Sequence, residues 1–391
     1  MDPARNPYAP GAGTPPPFLA GRGTLLAAAE LALKRIQLGR PAKSFIAVGL
    51  RGVGKTVIMN EVQKIAETER FHSIYIEAYD EISLPDTLAK LLRPIVLKLS
   101  KKEAALELGR RAWAGLRNFA SAFKVSFQGV DLSVTDEENI AGSGDINVDL
   151  PELLVSIGEV AKATASALSI IIDEVQYLSE RDMAALIMAL HRCNQKSLPV
   201  VLFGAGLPQL RAKMGDAKTY VERLFDFPQV DALPIDDAKI AIEKPANDED
   251  VEYTPDALNE ILRVTACYPY FIQEWGHFAW NAAQSSPINY NDVLRSHDDT
   301  IAKLDQNFFR VRLDRMTPTE RRYMRALAEL GPGSHRSGDI AKAYGAHVTS
   351  VAPLRSSLIA KGMIYSPAHG DTAFTVPLFD EFMRREMPKM N

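Results

Sequence analysis

The sequence is poor in cysteine: only Cys193 and Cys267 occur among its 391 residues. Two cysteines cannot form a disulfide framework, and neither stands in the paired Cys/His spacing of a zinc site. The seven histidines are scattered as well, so no structural metal is expected. This cysteine usage favours a reducing compartment.

Long hydrophobic runs are also missing. The most apolar segment, residues 168–172, has the length of a strand, whereas a membrane span needs about 20 apolar residues. The first residues contain no cationic segment that leads into an apolar run, so they do not resemble a secretory signal. We therefore expect a cytoplasmic protein that makes no membrane contact.

No sign of charge dominates the chain, since 45 Lys and Arg face 49 Asp and Glu for a net charge of -4. With such a balance, the net charge of the protein does not attract it electrostatically to nucleic acid. The charge is nevertheless uneven: from Thr317 onward ten basic residues face seven acidic ones. A nucleic-acid contact, if one exists, must be local to this tail.

Composition and length predict a folded protein of two or three domains, because 46% of residues are hydrophobic and 24% are charged, as in ordinary globular chains. Six prolines in the first 17 residues favour an extended arm. Glycine and proline positions, together with helical periodicity, then divide the remainder of the chain into segments. The predicted parts are an arm over 1–23, an α/β domain over 24–234 with an insertion at about 84–149, an all-helical segment over 235–315 and a tail domain over 316–391.

The α/β domain is predicted from alternating strand and helix patterns, which indicate a parallel sheet with helices on both faces. Thr24 is the expected N-cap of a first helix, and the strand that begins at Pro199 is expected to stop at a break formed by Gly204 and Gly206. Within the insertion, residues 123–149 alternate and are rich in glycine and aspartate, which favours a hairpin and loop.

A phosphate-binding motif follows the first strand. Residues 49–56 read G-L-R-G-V-G-K-T, which satisfies G-x-x-x-x-G-K-[ST] at every fixed position. The chemistry needs this spacing because the glycines let backbone N–H groups curl around a phosphate, after which Lys55 reaches the β and γ oxygens and the Thr56 hydroxyl ligates Mg²⁺. The candidate nucleotide-binding residues are Gly49, Arg51, Gly52, Val53, Gly54, Lys55, Thr56 and Val57.

A pair of acidic residues ends a later buried strand. Asp173 and Glu174 follow the run Ile170-Ile171-Ile172. At the tip of a parallel strand, Asp173 is placed to hold the Mg²⁺ shell with Thr56, and Glu174 to accept a proton from the attacking water. Together the two motifs predict an enzyme that binds ATP and Mg²⁺ and hydrolyses ATP.

With these motifs, the chain resembles the initiator-type AAA+ ATPases, the group of origin-recognition and cell-division-control proteins and of transposition ATPases. The resemblance extends over nearly the whole chain and implies a P-loop AAA+ sheet, a helical lid over 235–315 and a C-terminal winged helix. It also implies a nucleotide-side role for Arg22 in the arm. Glu222-Arg223 resembles the site of the arginine that reaches a neighbour's γ-phosphate, which implies a homo-oligomer; Arg211 and Arg192 are weaker candidates for that finger.

Two departures from that family concern nucleotide sensing. The fourth strand ends in Val201-Leu202-Phe203-Gly204, without the usual polar sensor. The lid has Tyr270 after Pro269 where the family often has an arginine. The aromatic residues around this point recur at helical spacing and are interpreted as lid core. They are Tyr268, Tyr270, Phe271, Trp275, Phe278 and Trp280.

The tail begins with a capping box, Thr317 to Glu320, and its helix–helix–turn–helix order followed by two strands predicts a winged helix. If that domain binds double-stranded DNA, its third helix would enter the major groove, and the wing near His369 would touch the minor groove. The candidate DNA-binding residues are Thr349, Ser350, Arg355 and Lys361.

The main hypothesis is therefore a Mg²⁺-dependent AAA+ ATPase whose nucleotide state controls assembly and the binding of DNA or a partner. The alternative is a slow-turnover signal-transducing NTPase whose winged helix docks protein, and the altered sensors favour it. A binding module with a dead nucleotide site fits least, because no motif residue is degraded.

Overall fold

The computed structural model describes residues 1–11, 13–101, 105–125, 142–218 and 221–388. In this part of the chain no helix is both long enough and apolar enough to cross a membrane.

Five parallel strands form the central sheet in the order β2-β3-β4-β1-β5. Every residue of β1, β3 and β4 is buried, as expected for a parallel sheet covered on both faces. Their bounds are β1 Ser44–Val48, β2 Phe71–Glu77, β3 Ala167–Asp173, β4 Val200–Gly206 and β5 Phe225–Asp226. The predicted parallel sheet with helices on both faces is confirmed.

Two hydrophobic clusters cover the two faces of the sheet. Ile171 packs into the cluster that contains residues of α1 and α2, while Ile170 and Ile172 pack into the one built from α3 to α6. This split follows from the alternation of side chains along a strand. The helices of this part are α1 Gly23–Gln37, α2 Lys55–Thr68, α3 Leu84–Ser100, α4 Leu106–Ala122, α5 Ile146–Ala163, α6 Glu180–Gln195, α7 Leu210–Ala217 and α8 Val221–Leu224.

Three local predictions in this part need correction. Thr24 is not the N-cap of α1, because Arg22 occupies that position and makes no side-chain cap. The break at Gly204 and Gly206 is wrong, since β4 continues to Gly206, which is paired with Val48 of β1. The hairpin over 123–149 falls mostly on residues 126–141, outside the described residues, and its last four residues form the first turn of α5, where Asp145 caps Asn147 N.

An all-helical segment follows the sheet and packs over the side of it that carries α1 and α2. A π-helical turn, Leu304–Phe309, leads directly into α13. The helices are α9 Ile235–Asn247, α10 Pro255–Thr265, α11 Pro269–Ala282, α12 Tyr290–Lys303 and α13 Arg310–Asp314.

The C-terminal part combines four helices with an antiparallel sheet in the order β6-β8-β7. The predicted capping box of Thr317 and Glu320 is present at the start of α14. The prediction of two strands misses β6, and it also misses α17. The bounds are α14 Pro318–Glu329, β6 Ser334–Arg336, α15 Ser337–Tyr344, α16 Val348–Ala360, β7 Ile364–Tyr365, β8 Asp371–Phe374 and α17 Phe379–Glu386.

The N-terminal arm has a defined docking site on the helical segment. Its first residues form a short 3-10 turn, Pro3–Arg5. The Tyr8 side chain is 3% exposed, and its hydroxyl donates a hydrogen bond of 2.5 Å to the Ile242 carbonyl. Trp280 Nε1 donates to the Asp2 carbonyl at 3.0 Å. These contacts direct the following residues of the arm toward the phosphate-binding loop.

Candidate active site

The loop between β1 and α2 has the backbone shape that its motif predicts. Gly52 and Gly54 have φ angles of 84° and 91°, in the left-handed region that glycine adopts without strain. The loop continues into α2, which begins at Lys55. The free N–H groups at the start of that helix and its dipole favour an anion at this point.

Lys55 is the buried cation of the loop, with 6% of its surface exposed. Its Nζ donates to the carbonyls of Gly49 at 3.0 Å and Leu50 at 2.7 Å. Burial lowers the pKa of Lys55 to about 8, against the opposing effect of Glu174 and Asp173. A buried ammonium with a lowered pKa is stabilised when a phosphate group comes next to it.

Asp173 lies beside the loop, as predicted from the strand tip. Its Oδ2 accepts a hydrogen bond of 2.6 Å from Thr56 Oγ1 and a longer one of 3.4 Å from the Tyr75 hydroxyl. Burial raises the pKa of Asp173, partly offset by the hydrogen bond from Thr56. Hydroxyl and carboxylate oxygens are ligands that Mg²⁺ accepts, so this pair fits the donor set of a magnesium site.

Glu174 projects from the end of β3 with a left-handed backbone, φ 53°. Its carboxylate accepts a hydrogen bond from Gln176 Nε2, and its Oε1 lies 3.7 Å from Arg51 Nη1. The side chain is 22% exposed, so it keeps access to water. This is the environment that a carboxylate needs to take up a proton.

A cavity of about 400 Å³ lies over the loop. It is lined by most of the predicted nucleotide-binding residues, Arg51 to Val57, and by Arg22 and Glu174. Gly49 and Asp173 are not among the lining residues. The cavity has the size of a small-molecule site, and the arm closes one side of it with Pro10, Gly11 and Thr14 among others.

Arg22 holds the loop by its backbone. Its Nη2 donates to the Val53 carbonyl at 3.1 Å and to the Asp231 carbonyl at 2.7 Å, and burial lowers its pKa. Since Arg22 also lines the cavity, it can act on the nucleotide side by fixing the shape of the loop.

Two tyrosines of the all-helical segment contact the loop backbone. The Tyr268 hydroxyl donates to the Arg51 carbonyl, and Tyr270 N donates to the Gly52 carbonyl at 3.2 Å. The prediction that these aromatic residues are core is confirmed for Phe271, Trp275 and Trp280, which are at most 2% exposed. Tyr270 differs, because it lines the cavity.

The candidate arginine fingers lie away from this cavity. Arg223 is exposed on the short helix α8, and Arg211 and Arg192 are exposed on α7 and α6. None of the three lines the cavity. A finger acts on the site of a neighbouring subunit, so its test requires an assembly.

The structure separates the four candidate DNA-binding residues. Thr349 and Ser350 are exposed at the start of α16. Arg355 and Lys361 differ from them, because their side chains have partners inside the domain. Arg355 donates to Thr372 Oγ1 at 2.7 Å, to Ser366 Oγ at 2.9 Å and to the Asp371 carbonyl at 2.8 Å. Lys361 Nζ lies 2.7 Å from Oε2 of the buried Glu320.

Sequence reasoning missed two contributors to the cavity. One is a group of arm residues that includes Pro10, Gly11 and Thr14, and the other is the pair Phe308 and Arg312 from the π-helical turn and α13. The prolines of the arm signalled an extended segment but not its docking site. No motif marks Arg312, which belongs to α13 and whose guanidinium lies over the Phe308 ring.

The fold and this site define an ATPase with the P-loop AAA+ fold. Residues 19–203 match the sequence model of the AAA ATPase domain, which spans both the phosphate loop and the acidic strand tip. Residues 306–383 match a Domain of unknown function (DUF8462). No curated protein matches the chain.

Solved structures that are similar to this chain include the following three. The Walker-type ATPase PABY2304 of Pyrococcus abyssi is 15% identical, with a TM-score of 0.57 over 94% of this chain and 96% of that one. The Aeropyrum pernix ORC1 protein in complex with DNA is 14% identical over 95% and 94%, with a TM-score of 0.45. The Thermotoga maritima RuvB Holliday junction branch migration motor is 14% identical over 90% and 92%, with a TM-score of 0.44. Of these three, the Pyrococcus structure alone has a TM-score above 0.5.

Proposed function

We propose that the protein is an initiator-like, Mg²⁺-dependent AAA+ switch that couples ATP binding and hydrolysis to the engagement of a partner by its C-terminal domain. One observation carries the proposal: the 2.6 Å hydrogen bond between Thr56 Oγ1 and Asp173 Oδ2. It joins the two motifs, which are far apart in sequence, at Thr56, which lines the cavity. Such convergence of a phosphate loop and a strand-tip carboxylate is what phosphoryl transfer requires.

Each residue of the site has a defined task in this proposal. The N–H groups from Gly52 to Thr56 and the Lys55 ammonium bind the phosphates. Thr56 and Asp173 hold Mg²⁺, which when bound neutralises charge on the phosphate oxygens. Glu174 orients the attacking water and takes its proton, and Arg22 keeps the loop in shape through Val53.

An assembly completes the site in this proposal. Arg223 is exposed, and an arginine supplied by the next subunit would stabilise the transition-state charge. Arg223→Ala should then lower hydrolysis per subunit while leaving the affinity for nucleotide unchanged. Arg181→Ala removes an exposed arginine that pairs with Asp145 and serves as the control.

We infer that residues 316–391 form a winged-helix domain behind an arm over 1–23, an ATPase domain over 24–234 and a lid over 235–315. The order of α14, β6, α15, α16, β7 and β8 supports this inference, because a winged helix has its wing strands after the third helix. The sheet β6-β8-β7 supplies that wing.

The partner of this domain is either double-stranded DNA or a protein. The positive balance of the tail supports DNA. The surface of α16 favours the second candidate, a slow-turnover signal-transducing NTPase that docks protein. Arg355 is the one charged residue of that helix, and its guanidinium is engaged with the wing. The other exposed residues of α16 are uncharged and mostly small.

Phosphate release from ATP, with and without Mg²⁺, tests the catalytic part. Thr56→Ala and Asp173→Asn should each abolish Mg²⁺-dependent hydrolysis. Thr68→Ala removes an exposed threonine from the end of the same helix, where its hydroxyl bonds only Lys64 O, and should hydrolyse as the wild type does. Equal rates in all four proteins would overturn the assignment.

Binding of a fluorescent DNA duplex across a salt series, with ATP and with ADP, tests the partner. Phosphate contacts release counterions, so specific DNA binding weakens steeply with salt. The double variant Thr349→Glu/Ser350→Glu should abolish it, whereas Gln284→Glu/Ser285→Glu adds the same charge to an exposed lid loop and should not. Absence of duplex binding in the wild type would leave protein docking as the supported function.

A further inference from the structure

The N-terminal arm is attached at two places, and residues between them border the cavity. None of residues 1–8 lines the cavity, whereas Ala9, Pro10 and several later residues of the arm do. At its far end the arm is attached to the phosphate loop, because Arg22 donates to the Val53 carbonyl at 3.1 Å. At its near end the arm is attached to the all-helical segment.

Tyr8 is the main anchor of the near end. Its side chain is 3% exposed, and its hydroxyl donates to the Ile242 carbonyl of α9 at 2.5 Å. The ring lies against Gly276 of α11, where a Cβ would come within 2.6 Å of it. The absence of a side chain at Gly276 therefore creates the space that the ring fills.

Hydrogen bonds along α11 hold the residues before Tyr8. Asn6 Nδ2 donates to the His277 carbonyl and to Asn281 Oδ1, each at 3.0 Å. Trp280 Nε1 donates to the Asp2 carbonyl at 3.0 Å. These contacts join residues of the chain to one another outside the cavity, so the anchor does not depend on direct contact with a nucleotide.

Beyond its anchor the arm passes from α11 to the first turn of α2. Ala9 N donates to Gln273 Oε1 at 3.2 Å. Gly13 has a left-handed backbone, φ 71°, and a Cβ on it would lie 3.3 Å from Thr56 Cγ2. Gln273 and Thr56 both line the cavity, so the arm connects two of its walls.

This connection opposes the opening of the cavity. One wall is formed by the phosphate loop and the start of α2, and another by residues of α9 and α11 such as Ala241 and Gln273. A ligand that fills such a cavity can enter or leave only when its walls move apart. Because the arm is fixed to both walls, it must leave one of them before they separate.

We propose that the N-terminal arm is a strap over the nucleotide cavity, and that release of Tyr8 from α9 and α11 controls the rate of nucleotide exchange. This inference rests on the nucleotide site proposed above. A strap slows entry and release alike, because both need the same opening. It therefore changes the two rate constants together and leaves the affinity for nucleotide nearly unchanged.

Stopped-flow measurements with fluorescent ADP test the strap. A concentration series gives the association rate constant, and displacement by excess unlabelled ADP gives the release rate constant. Tyr8→Ala removes the buried ring but no residue of the cavity lining, so both rate constants should rise at least about 10-fold while the dissociation constant stays within about 3-fold. Arg5→Ala removes only a surface contact of the arm with Glu249, which contributes little, and should exchange as the wild type does.

A crosslink that fixes the arm tests the opposite change. The side-chain amides of Asn6 and Asn281 are 3.0 Å apart, so Asn6→Cys/Asn281→Cys brings two thiols within reach of a short bismaleimide. Cys267→Ser in the same protein removes the partly exposed native thiol, and Cys193 is buried. Crosslinking after ADP has bound should slow its release at least about 10-fold relative to the same protein before crosslinking.

The outcomes separate this inference from the proposed function. A wild type that does not bind ADP removes the proposed site, and the inference with it. A wild type that binds ADP, with Tyr8→Ala exchanging at the same rate as Arg5→Ala, overturns the inference alone. So does faster release with an equal rise in the dissociation constant, because the arm would then only contact the nucleotide. Circular dichroism checks the fold of each variant, and the crosslink decides the question if Tyr8→Ala does not fold.

Discussion

The lowered pKa of Lys55 predicts that nucleotide affinity falls as the pH rises above 8. The Lys55 ammonium is desolvated behind the phosphate loop and has only the Gly49 and Leu50 carbonyls as hydrogen-bond acceptors. Burial therefore lowers the pKa of this group to about 8 in the free protein. A bound phosphate favours the charged form and raises that pKa, so that binding takes up a proton whenever the free lysine is neutral.

The size of the effect follows from the fraction of Lys55 that is charged. With a pKa of about 8, about nine tenths of the free protein carries the ammonium at pH about 7 and about one tenth at pH about 9. The dissociation constant for ADP should therefore rise about tenfold between these two values. An ordinary exposed lysine, with a pKa of about 10.4, would give almost no change over this range.

Titration of fluorescent ADP in EDTA at a series of pH values measures this effect. Lys55→Ala should bind more weakly and lose the pH dependence, whereas Lys64→Ala, an exposed position on the same helix, should retain it. A wild-type dissociation constant that stays level between pH about 7 and about 9 would show that the Lys55 ammonium does not lose its proton in this range.

Two further predictions concern stability. Gly276→Val places a Cβ within 2.6 Å of the Tyr8 ring, so it should release the arm from its docking site. The variant should lose about 1–3 kcal/mol of stability, seen as a lower melting temperature, and trypsin should cleave it faster after Arg5. An unchanged cleavage rate would show that the arm is not held there. The pKa of Glu320 is lowered to about 2, because hydrogen bonds led by that from Lys361 outweigh desolvation. The stability that ionised Glu320 adds is present above its unfolded pKa of about 4.3 and is lost as the pH falls toward 2. Lys361→Ala should therefore be less stable than the wild type at neutral pH and lose less stability on acidification. Thermal melts at a series of pH values measure both effects.

The phosphate loop and the acidic strand tip were predictable because their chemistry depends on local sequence. The loop needs glycine, lysine and threonine at fixed spacing, and the strand before Asp173 is an uninterrupted apolar run. The parallel sheet follows from the same alternation of buried strands and helices, and β1 has the predicted bounds, Ser44–Val48.

The rest of the cavity was not predictable in this way because it depends on tertiary contacts. Tyr8 reaches its site only because Gly276 leaves room for the ring, and Arg312 reaches the loop only through Phe308 and Tyr270. The partners of Arg355 were not predictable either: its guanidinium donates to Thr372 and Ser366, which no local pattern joins to it.

The rate of ATP hydrolysis by Glu174→Gln, compared with its affinity for ATP, tests the central claim most directly. Loss of a positioned general base costs about 10²- to 10⁴-fold in rate. We expect a fall of that size with ATP affinity within about 3-fold of the wild type, while the Glu180→Gln variant, changed at an exposed glutamate at the start of α6, hydrolyses ATP normally. Hydrolysis by Glu174→Gln at the wild-type rate would show that Glu174 is not the general base.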